Sequence, residues 1–107
     1  MATRTSDDIA HPTRSELELA AVLHALSDPV RLQMVAALAR SETEPSCGSF
    51  DVPVTKSTCT HHFRVLREAG IIRQRQEGTA RLNTLRREDL DARFPGLLDT
   101  ILQSSSG

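Results

Sequence analysis

Ser57, Thr60, His61 and Arg64 recur at i, i+3, i+4 and i+7, so a helix would carry them on one face. Two hydroxyls, an imidazole and a guanidinium exchange hydrogen bonds with a polar surface and neutralise an anion, and the set does not suit a core. Lys56 and Thr58 stand beside that face at its N-terminal end. The segment from Val54 to Arg87 concentrates charge of one sign. It holds Lys56, Arg64, Arg67, Arg73, Arg75, Arg81, Arg86 and Arg87 against Glu68 and Glu77, a balance of +6. The chain of 107 residues nets −1, so the remainder carries −7. Such asymmetry points to a polyanionic partner, nucleic acid foremost; the bland alternative is a solvated basic face.

Elements must hold these groups in place. The length fits one small domain, and 38% hydrophobic residues suffice for one modest core. With no Trp or Tyr and three Phe, that core is aliphatic, and a domain this small benefits from pairing with a second copy. Residues 1–14 read as a flexible arm, 15–103 as the folded domain, and 104–107 as a frayed tail. Ser15 with Glu18 makes a capping-box pattern at a first helix carrying Leu19, Val22, Leu23 and Leu26. Asp28-Pro29 opens a second helix with Leu32, Val35, Ala36 and Ala39 on its apolar face, ending near Arg40. Residues 41–54 crowd Pro45, Gly48 and Pro53 together, leaving room for one turn at 49–52 anchored by Phe50. Thr55 caps a third helix from Lys56 to Ala69, with Cys59, Phe63 and Leu66 inward and Gly70 at its C-terminal end. Ile71–Arg75 and Ala80–Leu85 read as strands around a Gly78 turn, decorated by Arg73, Arg75 and Arg81. A short helical turn over 88–93, a break at Phe94-Pro95 and a last helix from Pro95 to about Gln103 complete the chain.

The fold class expected is mainly α with a small β-hairpin. Helix, helix, capped helix and basic hairpin follow one another in the order of a winged helix-turn-helix. Such a module presents the N-terminal residues of its recognition helix to the major groove. Ser57, Thr58, Thr60 and His61 are then the base readers, and Lys56, Arg64, Arg73, Arg75 and Arg81 the phosphate contacts. The partner expected is double-stranded DNA. A winged-helix module that meets an acidic protein instead is the alternative. No Cys/His pair stands at a recognisable spacing from an orienting carboxylate, and no Gly-rich phosphate loop exists, so an enzyme is not expected.

Two stretches also resemble a known family. Leu26-Ser27-Asp28-Pro29-Val30-Arg31-Leu32 is similar to the second-helix signature of ArsR/SmtB repressors. Residues 57–72, Ser-Thr-Cys-Thr-His-His-Phe-Arg-Val-Leu-Arg-Glu-Ala-Gly-Ile-Ile, resemble their recognition helix and its exit into the wing. The resemblance spans about Ser15 to Leu102 and implies a homodimeric, operator-binding transcriptional repressor released by an inducer. It implies a dimer interface between first and last helices, here Leu19, Val22, Leu23 and Leu26 with Leu97, Leu98, Ile101 and Leu102. The sequence departs from the family where a full helix normally precedes the recognition helix, since 47–54 is short and contains Pro53.

The effector is left unknown by the residues. The thiolate pair that many members use is absent, because Ser49 stands where a C-x-C pattern with Cys47 needs a second cysteine. The last helix has Asp99 and no His. Cys47, His61 and His62 are the weak metal candidates; adjacent histidines on a helix diverge by about 100° and do not share an ion readily. A transition-metal effector and a thiol switch of Cys47 with Cys59 stay open, and the fold requires no cofactor. Two cysteines make no disulfide framework, no apolar run approaches a membrane span, and residues 1–16 lack a hydrophobic leader core. The compartment expected is the cytoplasm.

Overall fold

The structure is a computed structural model that describes residues 9–41 and 55–106. The turn expected at 49–52, Cys47 and the shortened helix before the recognition helix lie outside the described residues. A 3-10 turn at Arg14–Glu16 is followed by α1 (Leu19–Leu26), α2 (Pro29–Arg40), α3 (Lys56–Glu68), β1 (Ile72–Glu77), β2 (Ala80–Leu85), α4 (Arg87–Arg93) and α5 (Leu97–Ser106). The strands form an antiparallel hairpin in which Ile72 faces Leu85 and Glu77 faces Ala80. Gly78 occupies the first of the two loop positions at φ +61°, the place a tight hairpin reserves for a residue without a Cβ.

Local signals act largely as expected from α2 onward. Asp28 Oδ1 accepts from the Val30 and Arg31 backbone N–H groups at 2.8 and 3.2 Å, closing the N-terminus of α2. Thr55 Oγ1 accepts from Thr58 N at 3.3 Å and does the same for α3. At the first helix the cap differs. Glu16 Oε1 accepts from Thr13 N at 2.7 Å, so the reciprocal box lies two residues earlier than Ser15 and Glu18. It closes a single 3-10 turn, after which Leu17 is extended and α1 starts afresh. The break drives Leu17 fully into the core, which an uninterrupted helix from Ser15 would not do.

The core joins Leu17, Val22, Ala25 and Leu26 to Met34, Val35 and Leu38, to Cys59, Phe63 and Leu66, and to Ile71, Ile72, Leu90 and Leu98. α2 buries Arg31, Met34, Val35 and Leu38, while Leu32, Ala36 and Ala39 are only half-buried. Its inward face is therefore rotated from the one expected: Met34 and Leu38 join Val35 in the core cluster that also holds residues of α1 and α3. Cys59 is buried as expected, but as one half of a disulfide and not as a bare thiol.

The expected flexible arm is partly docked. His11 Nε2 accepts from the Gln74 backbone N–H at 2.9 Å, and Pro12 O accepts from Arg86 Nη1 at 2.7 Å. Residues 11 and 12 thus lie along the open edge of β1 and satisfy a donor that the two-stranded sheet leaves unpaired. At the other end α5 reaches Ser106, past the end expected near Gln103, and Ser104 Oγ donates to Thr100 O at 2.8 Å.

Candidate nucleic-acid interface

α3 and the hairpin together present the polar groups singled out above. The spacing along α3 turns Cys59, Phe63 and Leu66 inward and leaves Ser57, Thr58, Thr60, His61 and Arg64 exposed. The Lys56 side chain lies outside the described residues. On β1, strict alternation points Arg73 and Arg75 outward; Arg81 is exposed on β2. Arg64 meets Glu68 at 3.3 Å, Arg75 meets Glu77, and Arg73 stands 3.8 Å from Asp89. The Arg64 and Arg75 pairs are exposed and worth little, so an incoming phosphate can replace their carboxylates.

Between α3 and the hairpin lies an open cleft of about 320 Å³, lined by Thr60, Arg64, Arg67, Gln74, Arg81 and Asn83 among others. Three of these residues escape a reading of the sequence. Gln74 and Asn83 are buried, and Gln74 Nε2 donates to Asn83 Oδ1 at 2.8 Å. Gln74 Oε1 in turn accepts from Arg67 Nη1 at 3.0 Å. The available signal is strand parity: Gln74 shares its face with core residue Ile72, and a polar residue on that face needs a partner. Arg67 continues the stripe of Thr60 and Arg64 one turn further.

His61 and His62 have opposite fates. His61 is exposed, whereas His62 is buried against the start of α2. Arg31 Nη1 donates to His62 Nδ1 at 3.1 Å, since a guanidinium has no acceptor, and Arg31 Nε donates to Ala25 O at 2.7 Å. One buried arginine thereby ties the end of α1 and the start of α2 to the recognition helix. His62 Nδ1 is occupied by this bond, and no group of three His, Cys, Asp or Glu side chains is placed to hold a metal among the described residues.

Burial, followed by the charges of Arg31 and His61, holds His62 below the ordinary imidazole value of 6.5, and only Asp28 opposes them. Burial and the charge of Arg73 do the same to His11. In the window just below 6.5 the unfolded chain therefore binds protons that the folded chain refuses. Stability should be full above that pH and fall as the solution is acidified through it. Urea titrations at pH 7.5 and 5.5 should show a lower midpoint at 5.5. His62→Gln, whose amide oxygen can still accept from Arg31, should narrow the gap; an equal gap in both proteins would exclude His62 as its source.

Several proteins are similar to this chain in sequence or in fold. A family described as a helix-turn-helix domain matches residues 26–75. The chain is 34% identical over 84 residues to the uncharacterised HTH-type transcriptional regulator YceK of Bacillus subtilis, covering 77% of this chain and 84% of that protein. It is 34% identical over 61 residues to the uncharacterised HTH-type transcriptional regulator MJ1325 of Methanocaldococcus jannaschii, covering 56% and 68%. Among solved structures, an ArsR-like transcriptional regulator from Rhodococcus sp. RHA1 is similar at a TM-score of 0.59 and 23% identity, over 80% of this chain and 87% of that one. Rv0081 of M. tuberculosis is similar at 0.57 and 24%, over 82% and 92%.

Proposed function

Because the chain belongs to the helix-turn-helix transcriptional regulators and has the winged fold of the ArsR-like ones, we propose that it is a repressor binding a pseudo-palindromic operator as a homodimer. Regulators of this kind bind DNA and are not enzymes, which sets the protein-interaction module aside. The reading rests on one observation: Thr60 and Arg64 of the exposed α3 stripe and the exposed Arg81 of the hairpin line the same cleft, with Arg73 and Arg75 exposed on the hairpin's other face. Ser57, Thr58, Thr60 and His61 read bases, while Arg64, Arg73, Arg75 and Arg81, with Lys56, hold phosphates.

A second copy is favoured by α1. Leu19 and Leu23 are 46% and 44% exposed, and half-buried Leu97, Ile101 and Leu102 belong to the neighbouring α5. Val22, Leu26 and Leu98 face the protomer's own core, so they support such a seam from beneath instead of forming it. A twofold dimer presents two recognition helices to half-sites about 10 bp apart. No helix among the described residues is long and apolar enough to cross a membrane, and the proposed place of action is the cytoplasm.

Selection of bound fragments from genomic DNA, followed by titration of the recovered duplex, tests this reading. Two chains should bind per site. Arg75→Gln and Arg81→Gln should each weaken binding to all duplexes and flatten the dependence of log K on log salt by about 1.8, about 0.9 for each half-site. Thr60→Ala and His61→Ala should change the selected consensus at a cost of about 1–3 kcal/mol per lost base contact. Absence of any specific complex would end the operator reading; an unchanged consensus would end the assignment of Thr60 and His61.

A further inference from the structure

We propose that the cleft between α3 and the hairpin is a phosphate site, and that Arg67 is its inner cation, receiving one backbone phosphate in each half-site. The inference rests on duplex binding and adds a contact that the exposed stripe does not contain.

The lining carries Arg64, Arg67 and Arg81, and no carboxylate lines the cleft among the described residues. Arg67 differs from its neighbours in its partners. Its Nη1 bonds the neutral Gln74 amide, its Nε is buried without a hydrogen-bond partner, and no carboxylate lies within ion-pair distance of it among the described residues. Arg64, by contrast, meets Glu68, and Arg86 meets Asp89. A half-buried guanidinium whose charge goes unanswered is costly to the free protein, and an anion entering the cleft relieves that cost.

The guanidinium is also held in place beforehand. Gln74 is bound by Asn83, whose Nδ2 donates to Arg81 O at 3.3 Å, so a chain of amides connects Arg67 to the strand that carries Arg81. A planar fork fixed in this way suits the tetrahedral face of a phosphate better than a flexible ammonium does. The position is right for a backbone phosphate. Thr60 lines the same cleft, so a strand whose bases meet the N-terminal half of α3 must carry its sugar-phosphate edge between helix and wing.

A duplex recovered by the selection above, substituted one phosphate at a time with neutral methylphosphonate, tests the site by fluorescence anisotropy. One position per half-site should weaken the parent roughly tenfold at 0.1 M salt and weaken Arg67→Gln less than twofold. An identical position-by-position profile for the two proteins would overturn the proposal. If Arg67→Gln does not melt cooperatively, Arg67→Lys carries the same comparison, because it keeps the charge but loses the planar fork, and its profile should differ from the parent's at that one position. If the parent binds no duplex, the operator reading falls and this site falls with it; if the parent binds and the profiles coincide, the site alone falls. Inorganic phosphate at millimolar concentration should displace DNA no better than chloride at equal ionic strength. Stronger displacement that Arg67→Gln abolishes would assign the cleft to a free oxyanion and overturn the backbone assignment.

Discussion

Gly70→Ala should destabilise the protein by about 3 kcal/mol, roughly 15 °C in Tm for a domain of this size. Gly70 follows the recognition helix at φ +84°, a left-handed conformation that costs a residue with a Cβ about 1–2 kcal/mol. A Cβ there would also stand 1.9 Å from Leu17 Cδ2 and 3.2 Å from Pro12 Cγ. Leu17 is 1% exposed and has no room to withdraw, so overpacking adds about 1–3 kcal/mol. The junction is where the segment before α1 crosses the end of α3, so the strain loads directly on the recognition helix. Gly78→Ala provides the comparison. Its φ is +61°, nothing lies within 4 Å of its Cβ position, and it should lose only about 1 kcal/mol. Equal losses in thermal or urea unfolding would show that the Leu17 contact adds nothing.

Asp89→Ala should cost about 2–3 kcal/mol and loosen the base of the wing. Asp89 Oδ1 accepts from Arg14 Nε at 2.7 Å, and Oδ2 accepts from Arg86 Nε at 2.8 Å. The Arg86 side chain is 4% exposed and also donates to Pro12 O, so the carboxylate is the counter-charge of a buried cation. Its removal leaves that cation with a single carbonyl partner, which is costlier than losing an exposed pair. Arg87→Ala breaks the exposed Arg87–Asp99 pair at 2.8 Å and should cost less than about 1 kcal/mol. A loss for Asp89→Ala no larger than that of Arg87→Ala would contradict the role given to Asp89. The Arg14 hydrogen bond, helped by Arg86, holds the Asp89 carboxyl below its ordinary value. The stability it confers is present above the unfolded carboxyl value and is lost as pH falls through the folded one, in a lower window than that of His62.

The readable parts of this protein are those governed by neighbours in the chain. Asp28 and Thr55 cap helices because a short polar side chain reaches backbone donors two or three residues on. Cys59, Phe63 and Leu66 turn inward because one helical face must be apolar, and the stripe of Ser57, Thr60, His61 and Arg64 is exposed for the same reason. The +6 segment from Val54 to Arg87 likewise stands in the sequence as a count, and the fold spreads its arginines over α3, the wing and the start of α4.

Other features depend on which segments meet, and no local pattern contains that. Ser15 with Glu18 and Thr13 with Glu16 are both plausible boxes; burial of Leu17 against Gly70 favours the earlier one. His61 and His62 are chemically identical neighbours, yet one faces solvent and the other accepts from Arg31, because α2 packs beside only one of them. Leu19 and Val22 share a helical stripe in the sequence, but only Val22 meets the core of its own chain. Arg67 reads as one more surface cation until Gln74 and Asn83 are brought against it across the hairpin. Composition, caps and periodicity thus determined a winged helix-turn-helix with a basic α3-to-wing segment in an acidic frame. Tertiary packing alone decided which of its polar groups are buried, paired and aimed at the cleft, because burial and partnership are properties of contacts between distant residues and not of the residues themselves.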